Sequence, residues 1–136
     1  MTWYYQGKEF TSEDIGDYIG FVYLITNLVT GRKYIGKKLL KTNRRIRRKT
    51  GRKVRRQIKE SDWKEYYGSN DELKEDVKKY GKENFKREIL HLCKTKGECS
   101  WYELKEQVER NVLLSEDYYN VWVMARIHSG HLRKEK

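Results

Sequence analysis

Two tyrosines stand in neighbouring apolar runs, Tyr23 within Phe21 to Ile25 and Tyr34 at the head of Tyr34-Ile35. Thr26, Asn27, Thr30 and Gly31 lie between the runs, so GFVYLITNLVTGRKYIG, from Gly20 to Gly36, reads as a β-hairpin. Pairing its strands brings the two phenols near each other on one face. Adjacent phenols can accept, donate and relay protons, which is the equipment of acid–base chemistry. Immediately downstream, from Lys37 to Lys59, thirteen Lys or Arg occur without one acidic residue. Outside that segment 18 basic residues face 20 acidic ones, so the net charge of +11 arises entirely within it. So dense a positive run is the electrostatic footprint of a polyanion, because each phosphate neutralised releases condensed counterion. A solvated basic loop is the bland alternative. A membrane-surface helix is disfavoured, since only Leu39, Leu40, Ile46, Val54 and Ile58 offer apolar contact.

Other ligand-type residues are less well arranged. Cys93 and Cys99 are too few for a disulfide framework, and their five intervening residues fall outside zinc-site spacing. They are expected as free thiols near a half-buried strand end rather than as a zinc site with His91. His128 and His131 sit three apart without a third ligand, which suits surface or phosphate contact better than metal.

The remaining elements must hold the hairpin in place. Trp3, Tyr4 and Tyr5 suggest a short strand or arm packed on the sheet, followed by one helical turn capped by Thr11 or Ser12. A helix is expected to begin near Lys38, with Gly51 ending or interrupting it. Trp63, Tyr66 and Tyr67 read as core residues of an aromatic connection that covers the cleft or lies against the sheet. Ser69-x-x-Glu72 has the form of a capping box, with Leu73, Val77 and Tyr80 at helical spacing and Gly81 as the stop. Phe85 to Leu92 reads as a third strand. From Ser100 a second helix places Trp101, Leu104, Val108 and Val112 on one stripe. Val121, Trp122, Val123, Met124 and Ile127 are expected to close the core. The order predicts a small α+β domain, a central antiparallel sheet of about three strands flanked by helices.

Length and composition bound the rest. A chain of 136 residues forms one domain on ordinary size rules, here a 1–19 arm, a 20–120 core carrying the 37–60 basic insertion, and a 121–136 closing segment. Its 13% aromatic content argues against disorder. With no run apolar enough to span a bilayer and no signal-peptide core in Met1 to Gln6, a cytoplasmic protein is expected.

The hairpin resembles the signature of the GIY-YIG nucleases. Tyr34-Ile35-Gly36 matches its second half literally, whereas Phe21-Val22-Tyr23 stands in place of Gly-Ile-Tyr and keeps the tyrosine. Leu73, Tyr80-Gly81, Asn84-Phe85 and Ile89-Leu90 extend the likeness, so that it runs from Gly20 to about Asn120. It is similar to the compact phage-type members, since the homing relatives add a linker and a DNA-reading domain and this sequence ends sixteen residues after Asn120. The resemblance implies Tyr23, Tyr34, Arg44, Glu103 and Asn120 as site residues. Arg45, Arg47 and Arg48 compete with Arg44, and Glu106 competes with Glu103. The histidine that some members carry near the arginine is absent, leaving Tyr67 or Lys37 to do its work.

The implied activity is metal-dependent hydrolysis of a DNA phosphodiester, with Glu103 as the protein ligand of one Mg²⁺ (or Mn²⁺) and a tyrosine assisting water attack. A phenol of pKa ~10 is scarcely ionised at neutral pH, so a cation such as Lys37 or Arg44 must help it. Arg44 would clamp the non-bridging oxygens in a bidentate manner. Lys38, Lys41, Arg45, Arg47, Arg48, Arg52, Lys53, Arg55 and Arg56 are the expected contacts to double-stranded DNA. Target choice would come from the basic insertion, a homodimer or a partner protein. A catalytically inactive DNA- or RNA-binding module with the same fold, and a basic structural RNA-binding protein, are the alternatives. If the segment contacts phosphates, the logarithm of duplex affinity should fall linearly with log salt, at about −0.9 per contact. Neutralising Arg52, Lys53, Arg55 and Arg56 together should flatten that slope in a salt titration, and an unchanged slope would mean the run is solvated.

Overall fold

The computed structural model describes residues 2–47, 54–121 and 123, and their side chains except at 43–47 and 54–58. In chain order the elements are β1 (Trp3–Tyr5), β2 (Lys8–Phe10), β3 (Gly20–Asn27), β4 (Lys33–Leu39), β5 (Lys41–Arg47), β6 (Val54–Glu60), α1 (Asp71–Tyr80), β7 (Phe85–Cys93) and α2 (Lys96–Glu109). The α+β class and the tyrosine hairpin are as expected, but the main sheet has five strands, ordered β2-β1-β7-β3-β4. It is mixed, because the N-terminal arm enters the sheet: β1 runs parallel to β7, with Trp3 opposite Arg87, while β3 is antiparallel to both β4 and β7. Burial of Trp3 drives that addition. Its indole packs edge-on against Phe21 and Tyr23 and donates to the Trp63 carbonyl at 2.8 Å.

β3 is the central strand and is covered on both faces, which is why it reads as a continuous apolar run instead of an alternation. One side contributes Phe21, Tyr23 and Ile25 to a cluster with Trp3, Trp63, Leu73, Val77 and Tyr119. The other contributes Val22 and Leu24 to a smaller cluster with Ile35, Cys93, Cys99 and Val112. Trp63 and Tyr67 are buried as expected, Tyr66 packs against the larger cluster, and both cysteines are buried free thiols. Among the described residues no helix is long and apolar enough to cross a membrane.

Four local expectations are corrected. The helix expected from Lys38 is instead the end of β4 followed by the separate β5–β6 hairpin, paired from Lys41 opposite Glu60 to Arg47 opposite Val54. A helix there would stack like charges three and four apart, whereas Thr42, Ile46, Val54 and Ile58 favour extended backbone. Arg48, Arg52, Lys53, Trp122, Met124, Ile127, His128 and His131 lie outside the described residues. The cap of α1 is Asn70, not Ser69: the Asn70 carboxamide accepts from the Leu73 N–H at 2.9 Å, while the Ser69 hydroxyl meets Tyr34 at 3.1 Å.

The remaining two corrections concern the far end of the chain. Helix α2 begins at Lys96 under a Thr95 cap and is rotated from the expected stripe. Trp101 and Val108 are each 59% exposed, and Cys99 and Gln107 are buried. The rotation follows from what α2 packs on, since it lies beside a strand edge that needs polar partners. Finally, Val121 is 72% exposed instead of closing the core, whereas Val123 packs on the smaller cluster as expected, and Tyr119 and Asn120 are buried just before it.

The register of β3 on β4 sets Tyr23 opposite Gly36 and Ile25 opposite Tyr34. The Tyr23 ring lies across Gly36, where an added Cβ would overlap the phenol oxygen and come within 2.6 Å of Cζ. Gly36→Ala should therefore displace a side chain with nowhere to go. The expected cost is about 1–3 kcal/mol in chemical denaturation, as for other overpacked cores, and a cost near zero would show that Tyr23 is not held by this contact.

Candidate active site

The site forms at the free edge of β4. An edge strand leaves the N–H and C=O of every second residue without a partner strand, and buried backbone groups must be satisfied somewhere. At Lys33 the partners are backbone: its N–H donates to the Asp117 carbonyl and its carbonyl accepts from Tyr119 N–H, at 2.8 and 2.7 Å. At Ile35 a side chain takes over. The Asn120 Oδ1 accepts from the Ile35 N–H at 3.1 Å, its Nδ2 donates to the Ile35 carbonyl at 2.9 Å, and Gln107 Nε2 donates to that same carbonyl at 3.1 Å. At Lys37 the backbone N–H faces the Glu103 carboxylate.

This stitching gathers the predicted residues. Tyr23, Tyr34, Lys37, Glu103 and Asn120 line one cavity of about 490 Å³, together with Gly36, Ser69, Asn70, Gln107 and Val121. The Tyr23 and Tyr34 rings are 6.1 Å apart and inclined at 41°. Glu106 is not among the lining residues; it meets His91 at 3.5 Å and Arg110 at 3.4 Å. Arg44 sits in β5 opposite Gln57, on a strand and not on a helix, with Arg45 opposite Arg56 in the same ladder. Tyr67, offered as a stand-in for the missing histidine, packs under Arg87, whose guanidinium carbon lies 4.2 Å from its ring centre. Its neighbour Tyr66 faces Tyr23 instead, with ring centres 5.8 Å apart.

Sequence reasoning missed Ser69, Asn70, Gln107 and Tyr66 as site residues. The Ser69-Asn70 pair carried a signal, for a cap can donate or accept outside its helix. Gln107 carried none, because a glutamine beside Lys105, Glu106 and Glu109 in a charged helix looks like any exposed amide.

Electrostatics divide the cavity. Burial raises the Tyr23 phenol well above its ordinary value, reinforced by Tyr66 and Tyr34, and burial likewise raises Tyr34 against the opposing Ser69 hydrogen bond. Both phenols are therefore neutral in the resting protein, and among the described residues no cation lowers them. Burial also raises the Glu103 carboxyl, opposed by the Lys37 charge and the Lys37 N–H. The Lys37 ammonium itself donates to the Ser100 hydroxyl at 2.7 Å. Across the strand, Lys38 pairs with Asp62 at 2.6 Å and covers the Tyr66 ring at 4.4 Å.

Glu103 offers a hard oxygen to a divalent ion, in a setting where an incoming cation would relieve an under-solvated charge. Among the described residues no cluster of three His, Cys, Asp or Glu surrounds it. Glu103 is the residue that would hold such an ion, as its one carboxylate ligand.

Comparison with known proteins gives the chain a family. The family described as "Putative endonuclease segE, GIY-YIG domain" matches residues 3–123. The protein named "Putative endonuclease segE" from Enterobacteria phage T4 is 34% identical over 102 residues, covering 74% of this chain and 40% of that protein. The chain thus spans well under half the length of that relative. No solved structure matches.

The raised Glu103 carboxyl makes a stability prediction with a definite sign. Folding holds this proton more tightly than the unfolded chain does, so the penalty is absent below the ordinary carboxylate range and complete above the raised value. Glu103→Gln should melt above the unmodified protein at neutral pH. The difference should shrink toward zero as pH falls through the carboxylate range, followed by thermal melts across pH; a variant less stable at neutral pH would refute it.

Proposed function

The chain belongs to the GIY-YIG endonuclease family, and on that premise we propose that it is a divalent-metal-dependent endonuclease hydrolysing phosphodiester bonds in double-stranded DNA. The observation that carries the reading is convergence: two tyrosines, a lysine, a carboxylate and an asparagine, 97 residues apart at their extremes, line one cavity, in a chain whose sequence concentrates thirteen positive charges in one segment that begins at that lysine.

Hydrolysis needs a positioned water, neutralisation of charge on the non-bridging oxygens and a proton path. Tyr34 is assigned to the proton path. Its neutral oxygen receives the proton of the attacking water while its own proton passes to the Ser69 hydroxyl 3.1 Å away and the exposed Ser69 gives its proton to solvent, so no standing phenolate is required. Tyr23, deeper and wholly buried, sets the position of Tyr34 and stays protonated. Lys37 supplies fixed positive charge at the cavity mouth, and Arg44 is assigned the clamp on the scissile phosphate. Asn120 spends its whole amide on the Ile35 peptide and so acts as a strut that holds the Tyr34–Gly36 backbone in place. A Mg²⁺ or Mn²⁺ ion at Glu103 would, when bound, neutralise charge building on the phosphate and the leaving oxygen. The basic hairpin grips the duplex; Arg45 opposite Arg56 is a like-charge pairing that phosphate between them would relieve.

Incubation with supercoiled plasmid tests the proposal. Nicked or linear product should form with Mg²⁺ and not with EDTA. Glu103→Gln should abolish turnover by at least a hundredfold, comparable to losing one electrostatic element of a transition-state site, while duplex binding persists or tightens. Glu106→Gln should cut normally. Binding without cleavage under any divalent ion would leave the inactive binding module as the correct reading.

A further inference from the structure

Next to the tyrosine cavity lies a second one of about 600 Å³, and Lys37 lines both. Its other polar walls are Lys38, Thr42, Lys59, Ser61 and Lys96. The two acids there, Asp62 and Glu60, are already engaged. Asp62 is paired with Lys38 at 2.6 Å, and Glu60 accepts from the Ser12 hydroxyl and the Trp63 indole, each at 2.7 Å. Lys59 and Lys96 are exposed and in no ion pair among the described residues, and Lys37 spends its ammonium on a neutral hydroxyl. The cleft therefore presents uncompensated positive charge that begins where the catalytic cavity ends.

A nucleic-acid strand carries a phosphate at every nucleotide, so one that places a phosphate beside Tyr34 must present the next ones to whatever borders that cavity. We propose that the second cleft is the track for the backbone of the cleaved strand, with Lys59 and Lys96 neutralising phosphates that flank the scissile one. This rests on the nuclease reading given above and adds contacts outside the basic run's arginines, one of them on α2 itself. Among the described residues the cleft holds no aromatic ring on which a base would stack, which favours backbone over nucleobase. Lysines are point charges without a fixed donor fork, so the track binds without reading sequence.

Salt titrations of duplex binding, by fluorescence anisotropy of a short labelled DNA with the full chain in EDTA, test the track. Lys59→Gln/Lys96→Gln should keep the melting temperature and lower the slope of log affinity on log salt by about 1.8, two contacts at ~0.9 each. Between 50 and 200 mM salt the unmodified protein should then lose about tenfold more affinity than the variant. Lys96→Gln alone should take half the slope change, and arginine at both positions should restore it. Lys74→Gln/Lys78→Gln, which neutralises two exposed lysines of α1, should leave the slope unchanged. An unchanged slope in the first double variant, or an equal fall in both, overturns the track while leaving the nuclease reading standing. Absence of any salt-dependent DNA binding by the unmodified protein removes the nuclease reading, and the track with it.

Discussion

The free edge of β4 is the constraint on which the site depends. Backbone N–H and C=O groups at Lys33, Ile35 and Lys37 have β3 on one side and no strand on the other, and leaving them dry would cost more than most single contacts return. The chain solves the problem three ways in succession. It lays the backbone of Asp117 and Tyr119 on Lys33, the amides of Asn120 and Gln107 on Ile35, and the carboxylate of Glu103 on the Lys37 N–H. Each solution carries a polar side chain or its neighbour to the place where Tyr34 and Lys37 emerge. The polar site is thus a by-product of closing a sheet edge without a further strand.

Packing behind the edge makes the site rigid. Tyr23 is 1% exposed, touches Trp3, Phe21, Tyr34 and Tyr66, and lies over a glycine that could carry no larger residue. That density raises both phenols, so the chemistry available at rest is that of neutral donors and relays and not of phenolate bases. Positive charge is kept at the rim. Lys37 and Lys38 point to opposite sides of β4, one toward Glu103 and Ser100, the other toward Tyr66 and Asp62. The neutral phenols thus lie behind a border of lysines.

The tyrosine hairpin, the helix ending at Gly81 and the strand from Phe85 are legible from local pattern, because each element's apolar spacing and its turn residues agree. The segment 41–60 is not legible in the same way. Its charges leave neither a helical nor an alternating apolar stripe, and only pairing between Lys41–Arg47 and Val54–Glu60 makes it a hairpin. Helix α2 fails for the opposite reason. Its apolar residues do form a stripe, yet the helix turns Gln107 and Glu103 inward because the neighbouring strand edge offers hydrogen bonds that Trp101 and Val108 cannot make.

What the sequence by itself determined is therefore the family, the two tyrosines on one face, and the concentration of positive charge in a single segment, all properties of residue type and short spacing. Tertiary structure alone decided that Glu103 and not Glu106 meets them, that Tyr66 and not Tyr67 faces Tyr23, and that Asn70 and not Ser69 caps α1. Those choices separate residues one or three positions apart, a difference that helix rotation and strand register settle. Rotation and register are in turn set by which buried backbone groups still lack a partner, and that is knowable only once the sheet has an edge.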